Sequence, residues 1–359
     1  MEPEQDQGDT VPRFAEVMAA AARIAPHATV TPVLRARSID ALAGCALHFK
    51  AEPLQRAGAF KFRGACNAVW ALDNAAAARG VVTHSSGNHG GALALAARTR
   101  GIACHVVVPE GAVAAKLAAI EAYGATLHRC APTIAAREAA CAQVQADTGA
   151  TLVHPYTDPA VIAGQGTVAM EILQQHPGPI EAVFVAIGGG GLAAGVATYI
   201  KSLRPEIKVI GVQTEDSCAM VRSIKAGRRV NLSDVGLFSD GTAVKQVGSE
   251  TFRLVRQYVD DFVIVDTDAI CAAIKDVFQD SRSVLEPAGA LALAGAKRYA
   301  CRGAQRVVRQ QAAVAQRRKE AVGPPVTTVL LVERRGATAN SARKGEREDN
   351  ENRRQTGHG

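Results

Sequence analysis

The sequence predicts an α/β protein made of two αβα lobes with mostly parallel, twisted sheets and a cleft between them. Three observations predict it. Short β-branched runs alternate with Ala-rich helical stretches, and strands separated by one helix each imply right-handed βαβ units. The alternation comes in two sets, roughly 51–155 and 160–300. In each set a polar or glycine-rich turn lies between a strand and a helix, where open α/β sheets receive ligands.

In chain order, 14–24 reads as a helix, and strands at 31–34 and 45–52 flank a short helix. A lysine-bearing stretch at 57–65 precedes a helix at 65–72. Strands then fall at 81–84, 104–108, 126–129 and 152–154, with helices at 88–98, 113–123 and 134–145 between them. Gly124 can end the second of these helices. Asp158 and Pro159 start the next one, Asp as N-cap and Pro at the first helical position. Strands at 183–187, 208–213 and 262–265 and helices at 192–203, 268–279 and 287–299 complete the second set. The larger lobe is thus expected from 1–50 and 156–300, and the smaller from 51–155.

Bulk properties remove several function classes. No apolar run approaches the ~18 residues of a membrane span. The net charge is +7, but 301–359 holds 13 Lys and Arg against 6 Asp and Glu and so carries the whole surplus. The rest is balanced at 28 of each sign, which argues against a nucleic-acid surface. The eight cysteines are scattered without a C-x-x-C pair, and the nine histidines make no metal-ligand spacing. Free thiols and no metal are expected, in a cytoplasmic protein. The acidic, polar first ten residues do not read as a secretory signal or a transit peptide. The stretch 301–359 is expected to be a divergent basic tail, partly disordered from about Ser341.

Lys61 is the unusual residue. It sits in Ala57-Gly58-Ala59-Phe60-Lys61-Phe62-Arg63-Gly64-Ala65, among small residues and between two aromatic ones. Desolvation there disfavours the ammonium, and a neutral amine can form a Schiff base with an aldehyde. Ser85-Ser86-Gly87-Asn88-His89-Gly90 lies between a strand and a helix. Its N–H groups and hydroxyls suit a carboxylate, and Asn88 can bond a phenolic oxygen; the alternative is an ordinary polar turn. Gly188-Gly189-Gly190-Gly191-Leu192 is a second such turn, open to a phosphate at a helix N-terminus or simply tight. It also satisfies a loose dinucleotide fingerprint, with Glu215 placed 27 residues after Gly188, but a nicotinamide enzyme leaves Lys61 without a role. Glu286-Pro287 reads first as a helix cap and second as a catalytic carboxylate. Gly164-Gln165-Gly166-Thr167 suggests close approach of a neighbouring element or a ligand contact.

These motifs, in this order and spacing, resemble the fold-type-II pyridoxal-phosphate enzymes. The stretch from Asp240-Gly241-Thr242-Ala243-Val244-Lys245 through 266–273 to the E-P-A-G-A-L-A-L-A-G run is similar specifically to biosynthetic threonine ammonia-lyase, also called threonine dehydratase. The resemblance covers roughly 14–300. It implies pyridoxal 5′-phosphate in the cleft, bound as an imine to Lys61, with Asn88 at the 3′-oxygen and Gly188, Gly189, Gly190, Gly191 and Leu192 at the phosphate. Ser85, Ser86 and Gly87 would cradle the substrate carboxylate. It further implies removal of the α-proton by Lys61, loss of the β-hydroxyl, and 2-oxobutanoate and ammonia from L-threonine, with L-serine as a second substrate. That reaction is the first step of isoleucine biosynthesis. Relatives imply a homodimer or homotetramer. A serine or threonine racemase and a hydroxyaspartate ammonia-lyase use the same motifs.

The chain departs from the family at its end. The family closes its catalytic domain with a strand and a Ser-Gly-(Gly/Ala)-Asn turn whose serine meets the pyridine nitrogen. Residues 307–315 show no such turn, whereas 326–332 reads as a strand. If that strand substitutes, Glu333 or Arg335 falls near the serine's place. A glutamate would favour ring protonation and an arginine would oppose it. A cofactor-binding protein of impaired activity is therefore a further alternative. The long biosynthetic form carries a C-terminal regulatory domain, for which this chain has no room, so inhibition by isoleucine is not expected.

Overall fold

Two sheets share the strands. The computed structural model describes residues 13–312 and 329–332. The chain runs α1 (Phe14–Ile24), β1 (Val33–Arg35), α2 (Arg37–Ala43), β2 (Leu47–Lys50), α3 (Lys61–Ala71), α4 (Asn74–Ala78), β3 (Val81–Thr83), α5 (Asn88–Arg100), β4 (Cys104–Pro109), α6 (Ala114–Ala122), β5 (Thr126–Cys130), α7 (Ile134–Thr148) and β6 (Thr151–Leu152). It continues through α8 (Pro159–Gln175), β7 (Ala182–Ala186), α9 (Gly191–Leu203), β8 (Lys208–Thr214), α10 (Ala219–Ala226), α11 (Ser249–Tyr258), β9 (Asp261–Val265), α12 (Thr267–Ser281), α13 (Pro287–Ala312) and β10 (Val329–Val332). The four-stranded sheet has the order β5-β4-β3-β6 and is parallel throughout. The six-stranded sheet has the order β1-β2-β10-β7-β8-β9. No helix of the described residues is long and apolar enough to cross a membrane.

The central strands of both sheets, β2, β3, β4, β7 and β8, are buried on both faces, whereas the edge strands β1 and β5 are partly exposed. Side chains alternate along β7: Val183 and Val185 enter one apolar layer with Ile162, Val196 and Val255, while Ala182 and Phe184 enter the opposite layer with Ile270 and Leu291. In the smaller sheet Val106 and Val108 pack on the α3 and α5 side, and Val82 and Val107 pack against Cys141 and Val144 of α7.

Three features differ from the sequence reading, and the mixed pairing of the larger sheet stays within its expectation of mostly parallel sheets. Helix α3 begins at Lys61 itself, because Phe62 and Arg63 N–H groups already bond back to the Ala59 and Phe60 carbonyls. The larger sheet is mixed, since β1 pairs antiparallel with β2, and β10 pairs antiparallel with both β2 and β7. Helices α10 and α11 fill a stretch that the strand–helix alternation does not announce. Helix α13 continues past 299 to Ala312, so the place expected for the family turn is helical as far as 312. Strand β10 then enters the centre of the sheet, but Glu333 and Arg335 lie outside the described residues, as does the stretch from Ser341.

Two devices position α3, and with it Lys61. Glycines let α3, α8 and α9 touch: a Cβ on Gly164 would meet the Arg63 carbonyl at 2.6 Å, and one on Gly195 the Ile162 carbonyl at 2.4 Å. The glycine-rich run 164–167 thus serves packing. A buried charge cluster adds direction. Arg63 is bidentate to Glu52, through Nε to Oε2 and Nη2 to Oε1 at 2.8 Å each, and donates to Glu171 through Nη1 at 2.6 Å and Nη2 at 2.9 Å. Lys50 bonds the same Glu171 and the Gln175 side chain. Two cations face two anions, so the cluster is balanced inside the fold.

Candidate active site

The glycine loop between β7 and α9 is tight for a visible reason. Gly190 has φ +100°, open to glycine and hostile to other residues, and it caps α9. A Cβ on Gly189 would come within 2.2 Å of the Tyr156 ring, and one on Gly188 within 3.0 Å of the Thr242 Cα. The first turn of α9 presents N–H groups that have no intrahelical acceptor, at the positive end of the helix dipole. Leu192 points into the core, so only its backbone faces this loop.

Lys61 stands at the start of α3 and donates from Nζ to the Pro155 carbonyl at 2.8 Å. Its amine lies 5.4 Å from the Phe60 ring centroid. Phe62 does not share in this; it is buried in the core of the smaller sheet, with the Arg56 guanidinium over its ring. Burial of the amine pushes the Lys61 pKa down to about 8. Two imidazoles feel its charge, His89 and His154, and a third, His84, packs edge-on against His154. Burial, with the Lys61 charge second, takes His89 down to about 3. Burial, then His84 and Lys61, takes His154 down to about 3. His84 is lowered by burial as well.

A ring of contacts joins the separate motifs. Lys61 holds Pro155; the next residue, Tyr156, lies on Gly189; Gly188 lies on Thr242. Gly241 neighbours Glu286, whose Oε1 accepts from Asn88 Nδ2 at 2.7 Å. His89, beside Asn88, donates from Nε2 to the Val153 carbonyl at 3.1 Å, two residues short of Pro155. Ser85, Ser86 and Gly87 form the loop that leads into α5, with the Gly87 N–H on Ser85 Oγ. Gly90 allows that loop to fold over the helix start, since a Cβ there would lie 2.0 Å from the Ser85 carbonyl. Lys116 of α6 also forms an ion pair with Asp240, beside Gly241.

The family model described as pyridoxal-phosphate dependent enzyme matches residues 24–309. The chain belongs to this family. It is 54% identical over 282 residues to the biosynthetic L-threonine dehydratase of Burkholderia multivorans, covering 78% of this chain and 56% of that one. It is 43% identical over 277 residues to a serine racemase of Oryza sativa subsp. indica, covering 77% of this chain and 81% of that one. The solved structure of maize serine racemase superposes with a TM-score of 0.81 at 34% identity, covering 96% of this chain and 99% of that one. The chain spans about half the length of the threonine dehydratases it matches.

The residues present fit pyridoxal phosphate. A desolvated lysine, which can react with an aldehyde, and a side-chain-free loop at a helix N-terminus are joined through the Pro155–Tyr156 turn. The amide of Asn88 keeps one N–H beyond the one given to Glu286. Glu286 departs from the sequence reading, which favours a helix cap. It precedes α13, but its carboxylate turns to Asn88; burial first and Asp240 next raise its pKa, against the lowering effect of the Asn88 bond. The sequence reading gives His154 the end of a strand and leaves Pro155 and Tyr156 without a role. A proline after a strand, with an aromatic residue next to it, is the signal that could have marked them.

Proposed function

We propose that the protein removes water and ammonia from L-threonine, and from L-serine, giving 2-oxobutanoate or pyruvate. The observation that carries this reading is the desolvated Lys61 amine held one residue from the contact between Tyr156 and the glycine loop. The identity to the Burkholderia multivorans dehydratase supports threonine as the substrate and isoleucine biosynthesis as the setting.

Bound pyridoxal phosphate supplies an electron sink for charge that develops at the substrate Cα. The protein's own groups do the rest. The N–H groups from Gly188 to Leu192 would hold its phosphate, and Asn88 would hold its 3′-oxygen. The Ser85-Ser86-Gly87 loop receives the substrate carboxylate at the start of α5. Lys61 would hold the group at its aldehyde carbon. Its amine, neutral above pH ~8, then takes the Cα proton. The chain works in the cytoplasm as a homo-oligomer in this reading.

A racemase is the second reading, because the rice serine racemase is matched over 81% of its length. Racemisation needs a proton donor on the Cα face opposite Lys61, whereas elimination needs the β-hydroxyl to leave. One assay tells them apart. Purified holoprotein is given L-threonine and L-serine, and 2-oxo acid, ammonia and D-amino acid are measured together. Oxo acid with equal ammonia supports the lyase; D-serine without oxo acid overturns it. The control is Lys61→Ala, which should be colourless and should retain no cofactor after borohydride. Colour without turnover in the native protein would favour a cofactor-binding protein of impaired activity.

A further inference from the structure

The turn between β6 and α8 carries two contacts of the site at once. The Pro155 carbonyl accepts from Lys61, and the Tyr156 ring lies on Gly189. Something must hold this turn closed. The Tyr156 and Thr157 N–H groups both donate to Nδ1 of His154, at 3.4 and 3.2 Å. A ring nitrogen that accepts carries its lone pair and no proton, which puts the proton of the neutral ring on Nε2. His154 packs edge-on against His84 at 5.1 Å and against Tyr156 at 4.6 Å between ring centroids. Its ring is therefore fixed between two other rings, with Nδ1 over the turn.

We propose that His154 is a positioning residue for the cofactor lysine: its unprotonated Nδ1 closes the 155–157 turn, and the closed turn fixes both the carbonyl that holds Lys61 and the ring that backs the phosphate loop. This rests on the reading of Lys61 as the cofactor-binding lysine. The chemistry is simple. A lysine side chain has many rotamers, and a carbonyl that takes one N–H of a neutral amine leaves its lone pair directed elsewhere. Small misplacements of a reacting atom are costly, so a turn that opens loses rate without touching the lysine. His154 is not a proton acceptor in this arrangement, because Nδ1 is already engaged by two N–H groups.

Two variants test the proposal. His154→Asn places an acceptor oxygen as many bonds from the backbone as Nδ1 and can close the same turn. His154→Leu keeps bulk but offers no acceptor. Apoprotein is mixed with excess pyridoxal phosphate and quenched with borohydride at timed intervals, and the modified peptide is quantified by mass spectrometry. The Asn variant should label Lys61 within about 3-fold of the native rate, and the Leu variant roughly 10-fold or more slowly. In native protein labelled with 15N-histidine, the His154 Nδ1 resonance should be that of an unprotonated nitrogen at neutral pH. Native labelling by the Leu variant, equal slowing of both variants, or a protonated Nδ1 would overturn the proposal. If circular dichroism shows the Leu variant unfolded, the Asn rate and the nitrogen resonance decide. Cofactor fixed on a lysine other than Lys61 would overturn the underlying assignment, and the modified peptide tells that failure from the others.

Discussion

Asn88 Nδ2 donates to Glu286 Oε1 at 2.7 Å, joining the first residue of α5 to the residue before α13. Neutral amides can flip, and a flipped Asn88 would present oxygen to an oxygen. Glu286 prevents this, because a carboxylate accepts and cannot donate. Glu286→Ala should weaken cofactor binding about 2- to 10-fold, the size of one hydrogen bond of roughly 0.5–1.5 kcal/mol. Fluorescence titration of the apoprotein measures it, and an unchanged affinity would refute the orienting role.

The Lys61 amine should capture cofactor with a pH midpoint near 8, far below the ordinary lysine value of 10.5. The sign comes from burial, which disfavours the charged form. Below the midpoint the amine is protonated and unreactive. The same shift removes stability as pH falls from 10.5 through 8, where the unfolded chain takes up the proton and the folded one does not. Timed borohydride labelling between pH 6.5 and 10 gives the profile. A midpoint at the ordinary value would show that the amine is not desolvated.

Gly189→Ala should lose cofactor by roughly 10-fold or more, because the new methyl would lie 2.2 Å from the Tyr156 ring and push the loop from its place. The double variant with Tyr156→Ala should regain part of the affinity. If it regains none, steric conflict with the ring is not the cause.

Arg63→Met should lower stability by about 3–5 kcal/mol, since Glu52 and Glu171 would keep their charges without their main partner. Burial alone would raise the Glu171 pKa, but Arg63 and Lys50 outweigh it and hold the carboxyl below its ordinary value. Adding Glu52→Gln should return part of the loss. Urea unfolding of each variant reads the effect, and a loss under about 1 kcal/mol would mean that the cluster is not structural.

The motifs are legible because they are local. Each sits in one βα turn, where a few neighbouring residues decide both backbone shape and chemistry. Lys61, Asn88 and 188–192 can be named from their own segments. Glu286 cannot be judged the same way, because the sequence beside it is that of a helix start and its partner lies 198 residues away. The charge cluster is hidden for a similar reason: Lys50, Glu52, Arg63 and Glu171 each look like surface residues until α3 and α8 are packed together.

The chain alone determined two sets of βα units, a lysine among small and aromatic residues and two βα turns of the kind that can receive an anion, since periodicity, glycine freedom and helix ends are properties of short segments. Only the tertiary structure decided which groups meet. It set Pro155 against Lys61, Tyr156 against Gly189 and Glu286 against Asn88, and it placed β10 between β2 and β7. Such contacts depend on how whole layers pack, and packing is set by buried faces and close-approach glycines drawn from all parts of the chain.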